Sequence, residues 1–177
     1  MPVTFHLHDN GENSLPFQIV ADVDVRGNTL RCDYRVIGDT ALITWPAQMA
    51  FGRADQLWLH TCFECFFYHE GLSYAELNVS PSTQWNVYRF AGYRVGMKRD
   101  EDFHVVTIEQ RLTNDEYTLS YAVERLSGRW PDRLRLNLAV ILRGVDGREH
   151  FWSLYRGSET PDFHDGKRFV DCVFCDR

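Results

Sequence analysis

The chain has 177 residues, a length that fits one domain able to bury roughly 70% of its unfolded surface. Aromatic residues make up 14% and charged residues 25%, so the chain is globular rather than disordered; a net charge of −6 argues against nucleic acid as a partner, because sequence-independent phosphate binding needs a clustered excess of Lys and Arg. No run approaches the ~18 apolar residues of a membrane helix and no basic, then apolar, leader opens the chain, so the expectations are no membrane partner and a cytoplasmic location.

Short alternating segments punctuated by turns dominate the chain. FQIVADVDV at 17–25 and TLRCDYRVIG at 29–38 flank a Gly27-Asn28 turn, and ALITW follows at 41–45. LWLHTCFECF at 57–66 reads as a strand with Leu57, Leu59, Thr61, Phe63, Cys65 and Phe67 on one side and Trp58, His60, Cys62, Glu64 and Phe66 on the other. After a turn, Ala75, Leu77 and Val79 continue the apolar side, while Tyr74, Glu76, Asn78 and Ser80 continue the polar and aromatic one. FHVVTIEQRL at 103–112 and YTLSYAVERL at 117–126 predict a hairpin. In RLRLNLAVILR at 133–143 the leucines and Val140 take one face, with Arg133, Arg135, Asn137 and Arg143 on the other. EHFWSLYR, the loop GSETPDFHDG and the strand RFVDCVF close the chain, and only short helical turns are expected, for example near Ala54 or Leu126. About eleven short strands in one domain over 1–177 point to a two-sheet antiparallel β-sandwich of jelly-roll type.

The polar face of the 57–97 tract is the candidate working surface, since an ordinary solvated sheet face carries Lys, Arg and Thr more often than Trp58, His60, Tyr74, Asn78 and Trp85. Antiparallel sheets also commonly show one plain polar face to water, which is the competing explanation. The cysteines offer a second pattern. Cys62 and Cys65, with Cys172 and Cys175, make two CxxC pairs that could form a tetrahedral zinc site, yet residues three apart on a strand face opposite ways, and burial as small apolar side chains is the default. The odd total of five cysteines leaves at least one unpaired in any intrachain disulfide scheme.

The segments at 57–66, 76–97 (ELNVSPSTQWNVYRFAGYRVGM), 138–154 (LAVILRGVDGREHFWSL) and Pro161-Asp162-Phe163-His164 make the chain resemble bacterial DOMON-like proteins, whose domain is similar to type 9 carbohydrate-binding modules. The resemblance implies a β-sandwich with a ligand groove on a concave sheet face. Carried onto matching residues, it makes Trp85 and Trp152 stacking candidates, with His60, Glu64, Glu76, Asn78 and Arg94 as a polar ring. Cys65 and the Tyr155-Arg156-Gly157 ending depart from the family pattern.

The expected function is therefore binding of a small molecule or glycan, by aromatic stacking and polar contacts, without turnover and without a cofactor. Trp85 and Trp152 could equally be core plugs. An alternative is an enzyme acting on a sugar-like substrate, with His60 as base and Glu64 or Glu76 as acid. A second alternative is a haem-binding domain with His60 and Met97 as axial ligands. His164 and Asp162 could hold a metal or cap their loop. No GxSxG, GxxxxGK[ST] or HExxH run is present, which removes the common hydrolase, nucleotidase and zincin readings. Oligomeric state is not legible.

Overall fold

A computed structural model describes residues 1–11, 15–68, 73–156 and 161–174. The strands are β1 (Val3–Asp9), β2 (Gln18–Arg26), β3 (Thr29–Ile37), β4 (Gly52–Arg53), β5 (Cys62–Tyr68), β6 (Tyr74–Val79), β7 (Gln84–Phe90), β8 (Lys98–Arg99), β9 (Phe103–Leu112), β10 (Glu116–Arg125), β11 (Arg133–Arg143), β12 (Glu149–Ser153) and β13 (Val170–Val173). Among the described residues, helical structure is confined to single 3-10 turns at Thr40–Leu42, Leu57–Leu59 and Gly166–Arg168. The fold is all-β.

The strands form one hydrogen-bonded path, β4-β7-β6-β5-β11-β12-β1-β2-β3-β10-β9, with β13 added to β11 and β8 to β7. The two-sheet antiparallel arrangement expected from the sequence differs in two respects. First, β1 belongs to both limbs: Val3 to Leu7 pair with β2, whereas His8 and Asp9 pair with Ser153 and Trp152 of β12. Second, β4 runs parallel to β7, through Gly52 opposite Gln84 and Arg53 opposite Trp85. The sheet therefore curls back on itself, and its limbs meet face to face. Tyr34 of β3 lies 5.1 Å from Phe63 of β5, and Phe67 of β5 lies 5.2 Å from Phe103 of β9.

Alternation explains which side chains enter that core. Leu30, Cys32, Tyr34 and Val36 of β3 are buried, as are Leu134, Leu136, Leu138, Val140 and Leu142 of β11. The β2–β3 hairpin turns through Gly27 and Asn28, with Arg26 opposite Thr29; Gly27 takes φ +59° at the first central position, which a side chain would disfavour.

One strand assignment changes. Residues 57–59 are not extended: Gln56 enters with φ 61°, and the His60 N–H closes a 3-10 turn on the Leu57 carbonyl at 3.1 Å. The strand starts at Cys62, so alternation does not place Trp58 or His60. From Cys62 onward the expected parity holds. Phe63, Cys65, Phe67, Ala75, Leu77 and Val79 join the main core, while Glu64, Phe66, Tyr74, Glu76 and Asn78 share the outer face.

Candidate functional site

The outer face of β5, β6 and β7 is a grid fixed by register. Phe66, Glu76 and Tyr88 make one row, Glu64, Asn78 and Asn86 the next, and Tyr68, Tyr74 and Phe90 a third. β11 extends it, with Asn137 opposite Phe66, Ala139 opposite Glu64 and Ile141 opposite Cys62. This face is not open to water, unlike the free face of an ordinary antiparallel sheet. Phe66, Tyr74, Tyr88, Phe90, Ala139 and Phe169 form a second buried apolar cluster, against which Trp58, Tyr68 and Phe163 pack.

Three irregular segments supply the cover. The turn Leu57–Leu59 lays Trp58 edge-on against Tyr88, with ring centres 5.6 Å apart. The segment after β7 turns tightly, its Ala91 N–H donating to the Val95 carbonyl at 3.0 Å, and Arg94 takes the left-handed φ of 55°. The segment 161–169 is tied to the sheet by Asn137, whose Nδ2 donates to the Phe163 carbonyl at 3.1 Å. Arg94 and Tyr93 fasten these last two segments together: Arg94 Nη2 donates to Asp162 Oδ1 at 3.1 Å, and Tyr93 Oη donates to Oδ2 at 2.6 Å. Asp162 in turn caps its own loop, accepting from the His164 N–H at 3.2 Å.

Between these covers lies a pocket of about 470 Å³, lined by Trp58, Glu64, Glu76, Phe90, Arg94, Met97, Ile141, Phe163 and His164. Its aromatic walls come from the turn, from β7 and from the 161–169 segment. Its polar floor is Glu64 and Glu76, only 3% and 5% exposed. Glu76 Oε1 accepts from Asn78 Nδ2 at 2.8 Å. The Glu64 carboxyl has no hydrogen-bond partner among the described residues.

Burial dominates the electrostatics. It pushes the Glu64 carboxyl well above the usual range, and the Glu76 carboxylate adds to this while Arg94 opposes it. Glu76 is raised to about 7 by burial, against the Asn78 hydrogen bond and the Arg94 charge. His164 moves the other way, to about 4, because burial and then Arg94 disfavour its cation more than Asp162 favours it. The 3.7 Å approach of His164 Nε2 to Glu76 Oε2 is thus a contact between a neutral imidazole and a partly protonated carboxyl, not a full ion pair. A chain of polar contacts leads to it. The Arg94 N–H donates to Tyr74 Oη at 3.1 Å, leaving the Tyr74 hydroxyl to donate to His164 Nδ1 at 2.8 Å. The tautomer that completes this chain carries its proton on Nε2, toward Glu76. For Asp162, burial alone would raise the carboxyl, but the Tyr93 and Arg94 hydrogen bonds hold it below the ordinary value.

Of the residues singled out by sequence, Trp58, Glu64, Glu76 and Arg94 line this pocket, and Asn78 lies beside it on the same face. His60 is exposed and does not line it. Trp85 and Trp152, each 1% exposed, belong to the core between the limbs. Trp85 shares the inward parity of Val87 and carries the Arg53 guanidinium on its ring at 4.4 Å; Trp152 meets Phe17 edge-on at 6.3 Å. Met97 lines the pocket, so the two residues of the haem alternative do not share it.

The cysteine quartet is not assembled. Cys62 faces outward, its Sγ 3.6 Å from Asn78 Oδ1, while Cys65 and Cys172 face the core and Cys175 lies outside the described residues. Among the described residues no group of three His, Cys, Asp or Glu side chains is placed to hold a metal. Sequence reasoning left out Phe90, Ile141 and Phe163, and offered His164 as a metal ligand or loop cap rather than as part of this pocket. Phe90 and Ile141 share the parity of Tyr88 and Asn137 and were there to be found. Phe163 and His164 sit in a loop with no period to follow.

Three solved structures share the fold. A candidate carbohydrate-binding protein from Bacteroides uniformis matches at 16% identity with a TM-score of 0.73, over 98% of this chain and 86% of that one. A family 9 carbohydrate-binding module from Caldicellulosiruptor kristjanssonii matches in complex with cellotriose (13% identity, TM-score 0.56, 94% and 79% covered) and in complex with glucose (13%, 0.57, 97% and 84%). No protein-family model matches the sequence, and no curated protein does.

Proposed function

We propose that the chain is a carbohydrate-binding module that takes a sugar in the pocket formed by Trp58, Phe163, Glu64 and Glu76. On this reading the curled sheet serves as a β-sandwich of the jelly-roll kind, with its ligand on the outer face of β5 to β7. The observation that carries it is the Glu64 carboxyl: buried, without a protein partner, pushed toward its neutral form, and set in the floor of an aromatic-walled pocket. A buried polar group without a partner is costly, and a sugar hydroxyl provides the missing one. A protonated Glu64 donates to such a hydroxyl and an ionised one accepts from it. Trp58 and Phe163 offer flat apolar faces to the C–H side of a pyranose, and Arg94 and His164 supply further polar edges. The likeness to modules solved with cellotriose and glucose supports a sugar over other small polar ligands.

Calorimetric titration with glucose and cellotriose, alongside other neutral sugars, tests the reading. Saturable heat that disappears in Trp58→Ala and weakens about tenfold in Glu64→Ala is the expected result. No binding by any sugar to folded protein would overturn it.

The second reading, an enzyme, is favoured by one fact only, that Glu76 is raised to about 7 beside a second buried carboxyl. Such pairs serve as general acid and base in glycoside hydrolysis. Release of reducing sugar that stops in Glu76→Gln, with binding retained, would decide for it.

A further inference from the structure

A second hollow, about 340 Å³, adjoins the pocket and has one lining residue in common with it, His164. The ring has a polar edge toward each: Nε2 meets Glu76, which lines the pocket, and Nδ1 meets the Tyr74 hydroxyl, which lines the hollow. The outer face of β11 runs beneath both. Ile141 lines the pocket, Asn137 holds the Phe163 carbonyl, and Arg135 lines the hollow. Ile141 and Arg135 lie six positions apart on the same strand and the two cavities adjoin at His164, an arrangement that suits linked sugars better than a single one.

The two cavities differ in charge. In the pocket the Arg94 guanidinium is paired with Asp162, and the floor is two buried carboxyls. In the hollow the balance reverses. Arg135 spends one Nη2–H on the Gly166 carbonyl at 2.9 Å and lies 5.4 Å from the centre of the Tyr68 ring, leaving its other N–H donors uncommitted. The Lys167 ammonium is exposed and has no partner among the described residues. The carboxylate that lines the hollow, Asp165, is already taken, accepting from the Lys167 N–H at 3.0 Å and standing 3.4 Å from Arg168. The Tyr68 hydroxyl passes close over Gly166, where an added Cβ would collide with it. Two cations with free donors, beside tyrosine rings, thus face a cavity on a chain whose net charge is −6.

We propose that the ligand is an acidic oligosaccharide, with a neutral sugar in the pocket and a carboxylate-bearing uronic acid in the hollow, seated against Arg135 and Lys167. This rests on the reading of the pocket as a sugar site. The planar Arg135 fork suits a carboxylate, and Lys167 adds a point charge at the rim.

The test is calorimetry with matched disaccharides of gluco, galacto and manno configuration, each as the neutral compound and with one unit replaced by its uronic acid. The acidic member of the bound pair is expected to bind about tenfold tighter at low salt, the size of one charge-assisted hydrogen bond. That advantage shrinks as added salt screens it, and Lys167→Gln brings the acidic disaccharide down toward the neutral one. Equal affinity for the two members, or an advantage untouched by both salt and Lys167→Gln, overturns the acidic subsite while leaving the pocket a sugar site. Binding of neither member in every configuration overturns the sugar reading, and the subsite with it.

Discussion

His164 Nε2 stands 3.7 Å from Glu76 Oε2, and the two groups titrate in opposite directions from their ordinary values. Glu76 is raised to about 7, so the stability it contributes is complete at acidic pH and is lost as pH rises through about 7. His164 is lowered to about 4, so its contribution is complete above the ordinary histidine range and is lost as pH falls toward 4. Between those limits the two offset each other, and Glu64, also raised, reinforces Glu76. Urea unfolding should therefore show stability falling by about 1 kcal/mol per pH unit around neutrality. Glu76→Gln should flatten that slope. A slope unchanged in this variant would remove Glu76 as its source.

The tryptophans separate site from core. Trp58 packs on the outer cluster beside the pocket, so Trp58→Ala should abolish sugar binding while costing about 1–2 kcal/mol of stability. Trp85 and Trp152 are buried between the limbs, and truncating either to Ala should cost about 3–5 kcal/mol. Denaturation curves and titrations on the same three variants check both halves. Intact stability in Trp85→Ala would contradict its place in the core.

The reason for that split also explains what the sequence made legible. Alternation assigned Phe63, Cys65, Phe67, Ala75, Leu77 and Val79 to the core, and Glu64, Glu76 and Asn78 to the opposite face, because side chains on a strand have a strict period of two. Trp85 obeys the same rule: its parity with Val87 points inward, in keeping with the core-plug reading of Trp85 and Trp152. Trp58 and His60 followed no such rule, since Gln56 and the 3-10 turn break the strand before Cys62. The curl of the sheet was hidden for another reason. β1 serves two neighbours along its length, and pairing between distant strands leaves no local mark on composition. The 161–169 segment, which closes the pocket, reaches it through a backbone carbonyl, one carboxylate, the His164 ring and two phenylalanines, contacts without any sequence period.

Tyr74 links two of the covering segments. Its ring stacks on Phe90, with centres 4.8 Å apart and planes 2° from parallel, while its hydroxyl accepts from the Arg94 N–H and bonds His164 Nδ1. Tyr74→Phe keeps the stacking and removes only the hydroxyl. The expected cost is about 1–3 kcal/mol, because an amide and an imidazole nitrogen lose their partner together. Amide hydrogen exchange should quicken at Arg94 and across 161–169, and sugar affinity should fall. Unaltered exchange in both segments would mean that Asp162 and its partners hold them without Tyr74.

Arg53 braces the pocket from behind. Its Nη1 donates to Asn86 Oδ1 at 2.8 Å, its Nη2 donates to the Asp100 and Phe103 carbonyls at 2.9 and 2.7 Å, and its Cζ sits 4.4 Å over the Trp85 ring. Asn86 passes the order on, donating to the Ala54 carbonyl at 3.1 Å and to Asp55 at 2.9 Å, just before the turn that carries Trp58. Burial lowers the Arg53 guanidinium only from a very high starting value, so the side chain stays charged. Arg53→Ala removes the guanidinium donors to two carbonyls and to the Asn86 amide oxygen, which keeps the Val87 N–H, and should cost about 2–4 kcal/mol by urea unfolding. Arg53→Lys should recover little of this, because one ammonium cannot reproduce a planar fork that reaches three acceptors while sitting over an indole. Full rescue by Lys would show that charge alone, rather than the fork, positions the turn.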